Sequence, residues 1–380
     1  MNALPTLNLD PFPEIDLRHM LVLTDDTAML QHATHATPNL HHGYCTDDNA
    51  RALIAGVLFC DLQPEVRTSA GGSAVPDDLA VAMQRYLAFL SYAFSPDTGR
   101  FKNFMDYDRS WAEEMGSEDS HARALWGLGV AVRRGHIADI QELAAKLFQK
   151  ALPAAERFKH IRPWSYVLLG LDEYLRSDGS NTRVLELRDM MADHLFEIWK
   201  ANATEDWPWW EDRLTWGNAK LPHTMLICGA GLSRDDMVKA SLKALDWLLG
   251  VQTGDSGQLS IIGNKGWFER GRGRARFDQQ PIEAKALVQA CLTAALVTRE
   301  QRWADHARRC FEWFRGKNDV GVAMYNADTG GCHDGLHADG ADPNQGAEST
   351  LAYVLSVLDL HHYERAQKAS QDLAPYGTGW

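Results

Sequence analysis

Thr46-Asp47-Asp48-Asn49-Ala50-Arg51-Ala52-Leu53 and Ser117-Glu118-Asp119-Ser120-His121-Ala122-Arg123-Ala124-Leu125 carry one phrase twice: two carboxylates, then a polar residue, Ala, a basic residue, Ala and Leu. A third copy is Glu283-Ala284-Lys285-Ala286-Leu287. Asn218-Ala219-Lys220-Leu221 and Glu348-Ser349-Thr350-Leu351 are degraded copies, and Pro163-Trp164-Ser165-Tyr166 is a weaker sixth. The intervals between equivalent positions are too long and irregular for a short solenoid repeat. Six similar helices with variable connectors suggest a closed ring.

Each copy opens a helix that is apolar on every side after its first turn, such as Ala52 to Cys60, and so is buried all round. Amphipathic helices alternate with these, for example 77–94, 137–159, 181–201, 234–250 and 301–315. With a first helix from Asp16 to about His35, twelve helices are expected. Only 101–107 and 257–269 look strand-like, the former within a small hairpin reaching Trp111. The economical fold is all-α: an (α/α)6 toroid of six helical hairpins with short β-hairpin insertions, filling 1–380 as one domain with an irregular arm (1–15) and a tail (363–380).

The chain has 380 residues, 45% of them hydrophobic and 23% charged, which suits a globular protein with a large core. A formal charge of −13 disfavours a nucleic-acid partner, because phosphates need a basic surface. Residues 1–18 lack a basic segment followed by an apolar core, and no run has membrane-spanning length, so a cytoplasmic protein with no membrane partner is expected. The six cysteines are widely spaced, without a CxxC, and read as buried thiols.

Connectors from outer to inner helices are long (95–116, 202–215, 251–277, 316–345), while most of the return connectors are short. Long loops carry function more often than structure. In a ring of parallel hairpins they gather on one face, with the inner-helix N-termini. That face collects Asp47, Asp48, Glu118, Asp119, Asp278, Glu283 and Glu348. Any one alone would serve as a helix cap. Crowded together, they raise one another's pKa, as a general acid requires. Arg51, Arg123, Lys220 and Lys285 read as ion-pair partners holding those acids in place.

Aromatic residues with interspersed amides and acids form the lining that sugar rings need: CH faces stack and hydroxyls take paired hydrogen bonds. Beyond the carboxylates, the expected lining is Asn49, His121, Arg123, Trp209, Trp210, Glu211, Asn218, Trp267, Asp278, Gln279, His333, Asp334, Gln345 and Glu348. Cys332-His333 lacks any recognised metal spacing, and the Gly-rich stretches fit neither a P-loop nor a dinucleotide fingerprint. No metal or other cofactor is expected.

The phrases YCTDDNARAL (44–53), SEDSHARALWGLG (117–129), FDQQPIEA (277–284) and NQGAESTLAYVL (344–355) resemble the six-hairpin glycosidase-like superfamily, and in particular bacterial proteins found with mannoside phosphorylases and glycosyltransferases. The resemblance spans most of the chain and implies a glycoside hydrolase acting on an oligosaccharide, often with inversion. It draws acid and base from Asp47 or Asp48, Glu118 or Asp119, and Glu283. The first rival is a sugar epimerase of the acylglucosamine-epimerase type, with His121 and His333 as acid and base. The second is a non-catalytic glycan-binding protein. Sugar, linkage and oligomeric state stay open.

Overall fold

The computed structural model describes residues 3–63 and 76–372. Twelve α-helices occur among them: α1 (Arg18–Val22), α2 (Thr46–Leu62), α3 (Asp77–Ala93), α4 (Glu118–Arg134), α5 (Ala138–Ala155) and α6 (Ile161–Leu175). The second half adds α7 (Thr182–Asn202), α8 (Lys220–Gly231), α9 (Asp235–Val251), α10 (Pro281–Thr298), α11 (Gln301–Glu312) and α12 (Ala347–Asp372). Even-numbered helices pack each on the next, and α12 packs back on α2, so the inner layer closes. The odd-numbered helices from α3 to α11 pack outside their inner partners, and the short α1 lies against α12 and α3. The chain is an (α/α)6 toroid.

The apolar inner helices fill this ring because every side meets protein. In α2 all of Asn49 to Leu58 is buried, and the same holds for Ser120 to Ala131 in α4. Neighbouring inner helices approach closely where glycines face each other. A Cβ at Gly129 would fall on the carbonyl of Gly170 in α6, and one at Gly127 would come within 2.9 Å of the Ala50 carbonyl in α2. Helix α10 is long and apolar enough to pass for a membrane span, yet it is mostly buried in the ring.

Several boundaries differ from expectation. The helix expected from Asp16 to His35 ends at Val22, because the Asp25 carboxylate accepts the amides of Thr27 and Ala28 and turns the chain. Helix α12 continues to Asp372 through the expected tail, strapped to the N-terminal arm by Tyr363, which donates to the Pro5 carbonyl at 2.9 Å. The rest of the tail, and most of the connector 63–76, lie outside the described residues. The loops hold six two-stranded sheets among the described residues. The hairpin expected at 101–111 is present in short form, with Met105 bridging Trp111 antiparallel and the Ala112 amide donating to the Phe104 carbonyl, while Arg100–Phe101 pairs with Phe94–Ser95 and Phe104–Met105 also pairs with Tyr44–Cys45. Of 257–269 only Phe268–Glu269 is a strand, paired with Arg213–Leu214. All six cysteines are unpaired and buried.

Gly129→Ala should destabilise the protein by roughly 1–3 kcal/mol, since overpacking at a backbone contact forces helices apart. Gly250→Ala, near the end of α9 with open space at its Cβ, should gain about 0.5–1 kcal/mol from helix propensity. Urea unfolding of the two variants checks the contrast.

Candidate active site

The first turn of α2 builds the most reactive cluster of the elaborated face. Asp47, Asp48 and Arg51 lie three and four residues apart on one helix face, so one guanidinium reaches both carboxylates, Asp48 at 2.7 Å and Asp47 at 3.0 Å. Its other nitrogen takes Glu348 of α12 at 2.8 Å, which ties the two ends of the chain across the ring. The Cys45 thiol donates to the second Asp48 oxygen at 2.9 Å. These groups line a 330 Å³ pocket together with Asp334, Ser349 and His32. That volume lies at the lower end of small-ligand sites and suits one or two sugar rings.

The paired carboxylates are electrically distinct. Burial pushes Asp48 up, the adjacent Asp47 charge adds to this, and Arg51 offsets only part, leaving it at about 7. Asp47 meets the same burial, but Arg51 and Arg123 together hold it below the usual carboxylate range. At neutral pH the site therefore offers one carboxylate and one carboxyl group that is about half protonated. Asp334 is raised by burial, against hydrogen bonds from Ser349 (2.5 Å) and the Gly346 amide (2.7 Å). Burial, helped by His42, lowers His32.

Asp119 stands one inner helix round, on α4, with one oxygen on Arg123 at 2.7 Å and the other, Oδ1, buried without a hydrogen-bond partner. Burial raises its pKa against Arg123, and it lies close enough to feel Asp47 and Arg51. Arg123 lies over the Tyr166 ring at 4.3 Å and near Trp216 at 5.7 Å. Arg162, on α6, is equally near Trp216 and pairs with Glu211 at 2.6 Å.

Other expected residues are committed elsewhere. Glu118 points away from the pocket and accepts the Lys159 and His160 amides and the His160 ring, fixing the start of α6; it is a cap, not a catalyst. Glu283 is enclosed: it accepts the Gly217 amide and both the amide (3.3 Å) and side chain (3.1 Å) of Asn218. It anchors the loop before α8 and does not line the pocket, which corrects the catalytic trio with Asp48 and Asp119. His121 is wedged between Phe101 and Phe158, accepting the Phe101 amide and meeting the Ala151 carbonyl. Burial, with Arg100 nearby, lowers it to about 3, so it cannot act as the expected acid or base.

Asn49 spends its amide on Met29 and Cys45. Gln279 is tied to Arg276, Asp319 and Trp313, and Gln345 to Thr329. Trp209 and Trp210 are wholly buried against each other and Trp247, so they are core and not a sugar platform. Asp278 belongs to a separate depression with Lys265 (2.7 Å) and His337. Trp267 and His333 line neither this depression nor the pocket. Of the expected lining, Asp334 and Glu348 reach the pocket and Arg123 supports it.

The pocket also holds polar residues that the expected lining lacks, among them Gln31, His32, Cys45, Asn103, Gln280 and Ser349. Cys45, Asp47 and Asp48 bring three potential metal-ligand atoms within 4.8 Å. The Arg51 guanidinium already supplies the positive charge there, and burial pushes the Cys45 thiol up instead of releasing its proton.

No family model matches the chain, and no curated protein sequence matches it. Solved structures do. A sugar epimerase from a ruminal bacterium superposes with a TM-score of 0.69 at 13% identity, over 92% of this chain and 95% of its own. The cellobiose 2-epimerase of Spirochaeta thermophila gives 0.69 at 14%, over 92% and 93%. The GH76 α-mannanase BT2949 of Bacteroides thetaiotaomicron gives 0.58 at 9%, over 85% and 87%. At such identities the likeness establishes the fold alone, shared by sugar isomerising and hydrolysing proteins.

Because the folded-state pKa of Asp48 lies above its unfolded value, the native state binds the extra proton. Its stabilising contribution is full below pH 4 and is lost as pH rises through about 7. Asp48→Asn removes this loss, so between pH 5 and pH 8 the variant should gain roughly 2–3 kcal/mol relative to the native protein. Urea midpoints at both pH values measure it.

Proposed function

We propose that the protein is a carbohydrate-active enzyme that transfers protons at the mouth of the ring, and that its reaction is the epimerisation or isomerisation of a reducing sugar. The observation that carries this reading is the split pair: ionised Asp47 and protonatable Asp48, both on Arg51, in a pocket the size of one or two rings. Moving a proton beside a carbonyl needs a base, an acid and a cation for the enediolate oxygen. Asp47, Asp48 and Arg51 offer these in that order, with His32 and Asp334 lining the same pocket. Carboxyl groups thus take the part that sequence reasoning gave to His121 and His333. The higher structural likeness to two epimerases than to a mannanase supports the same order of preference.

Glycoside hydrolysis is the second reading, favoured by one observation. The unpartnered Oδ1 of Asp119 is a free acceptor near the acid pair, suited to hold an attacking water while Asp48 protonates the leaving oxygen. The substrate is a reducing sugar or oligosaccharide in the first reading and a glycoside or oligosaccharide in the second.

Incubation of reducing hexoses and disaccharides in deuterium oxide separates the readings. Epimerisation puts deuterium on C2 of an uncleaved sugar and isomerisation puts it on C1 of the ketose formed, and Asp48→Asn should lower that exchange by about 10²–10⁴-fold. Released monosaccharide without exchange would transfer the assignment to hydrolysis. Binding with neither product would leave a glycan-binding protein, and full activity in Asp48→Asn would remove the acid assigned here.

A further inference from the structure

The larger cavity of the ring is not the mouth. A space of about 1120 Å³ occupies the opposite half of the bore, lined by all six inner helices, and shares no residue with the mouth pocket. Its inner end is made by Trp126, Lys285, Gln289 and His223; its outer end by Asp61, His362 and Arg365. Between them Ile54, Leu58 and Leu169 supply apolar wall.

The charges around this space are matched among themselves. Glu173 takes Arg133 at 2.8 Å and Arg134 at 3.3 Å, Asp172 takes Arg176 at 2.8 Å, and Asp61 takes Arg365 at 2.8 Å. Arg133, Arg134 and Arg176 stand at inner-helix C-termini, where cations balance the helix dipole. Each arginine of this wall is thus already engaged by a carboxylate of the wall. The wall does have unmatched hydrogen-bonding atoms. His223 is 2% exposed and uses Nε2 on Thr293 at 3.0 Å, but its Nδ1 has no partner. Burial, with Lys220 and Lys285 beside it, holds that ring neutral. The buried Oδ2 of Asp359 is likewise without a hydrogen bond.

We propose that the far half of the bore is a second ligand site, distinct from the mouth, that takes a neutral polyhydroxylated molecule of one to a few sugar units. Such a ligand carries hydroxyls that both donate and accept, for Asp359 and His223, and CH faces for the apolar wall. It also leaves the surrounding ion pairs intact. The volume stands at the upper end of small-ligand cavities, leaving room for more than one ring. The site does not rest on the reaction assigned to the mouth, and its test uses binding alone.

Glucose, cellobiose and mannobiose serve as probes, by calorimetry and by soaking crystals of the full chain. Sugar density in the far cavity is expected. Ile227→Trp, which fills the wall, and His223→Phe, which removes the unpartnered nitrogen, should each weaken the corresponding binding at least tenfold. Asp48→Asn should leave it unchanged. If one bore variant fails to fold, the other carries the test. An empty far cavity at saturating probe, unchanged binding in the folded bore variants, or loss of that binding in Asp48→Asn would overturn the proposal.

Discussion

Four cations buried across the middle of the ring, Arg51, Arg123, Lys220 and Lys285, are the constraint on which the rest depends. All come from the repeated phrase, and each is at most 4% exposed. Charges so deep are tolerated only when paired and hydrogen-bonded, and removal of one partner strands the other. The two arginines meet the need upward, with Asp47, Asp48, Glu348 and Asp119. The two lysines meet it downward, sharing Gln289 and lying over Trp126 at 4.8 and 4.6 Å, with Asp359 nearby. The bore is thereby divided into two chambers, and its polar floor is also the scaffold of the mouth.

This division explains why one sequence phrase yields unlike sites. A basic residue two places after the polar position enters the bore in every copy that carries one. What it meets depends on the neighbouring helix. Where the acids precede it on the same helix, as at Asp47, Asp48 and Asp119, a charged pair forms at the mouth. Where they do not, as at Lys220, the ammonium loses much of its preference for charge. Burial lowers Lys220 far below its ordinary range, and Lys285 to about 8.

The ring itself was legible because continuous apolarity after a polar first turn has one physical reading, a helix buried on all sides. The repeated phrase placed its six starts. The direction of each polar side chain was not legible. Asp119 and Glu118 are adjacent, yet about 100° of helix rotation separates them, enough to send one toward Arg123 and the other to the α6 terminus. Asn49, His121 and Glu283 occupy equivalent positions in the phrase, and all three anchor a preceding loop to the ring. The repeat therefore preserved a structural joint where chemistry was expected. Trp209 and Trp210 misled for another reason: a tryptophan-rich loop can cover the core as readily as line a cleft, and only the packing of α7 and α9 around it decides.

The chemistry that remains rests on an asymmetry that two consecutive aspartates could not have alone. Equivalent carboxyl groups sharing one guanidinium would divide a proton evenly. Here Asp47 also faces Arg123 and is a fifth exposed, while Asp48 lies deeper and feels Glu348, which together outweigh the Cys45 hydrogen bond that favours its charged form. Both differences favour charge on Asp47 and a proton on Asp48. Glu348 arrives from the far end of the chain, so its share of that polarisation exists only once α12 has closed the ring against α2. Burial and the two arginines set the acid–base asymmetry, and ring closure adds to it.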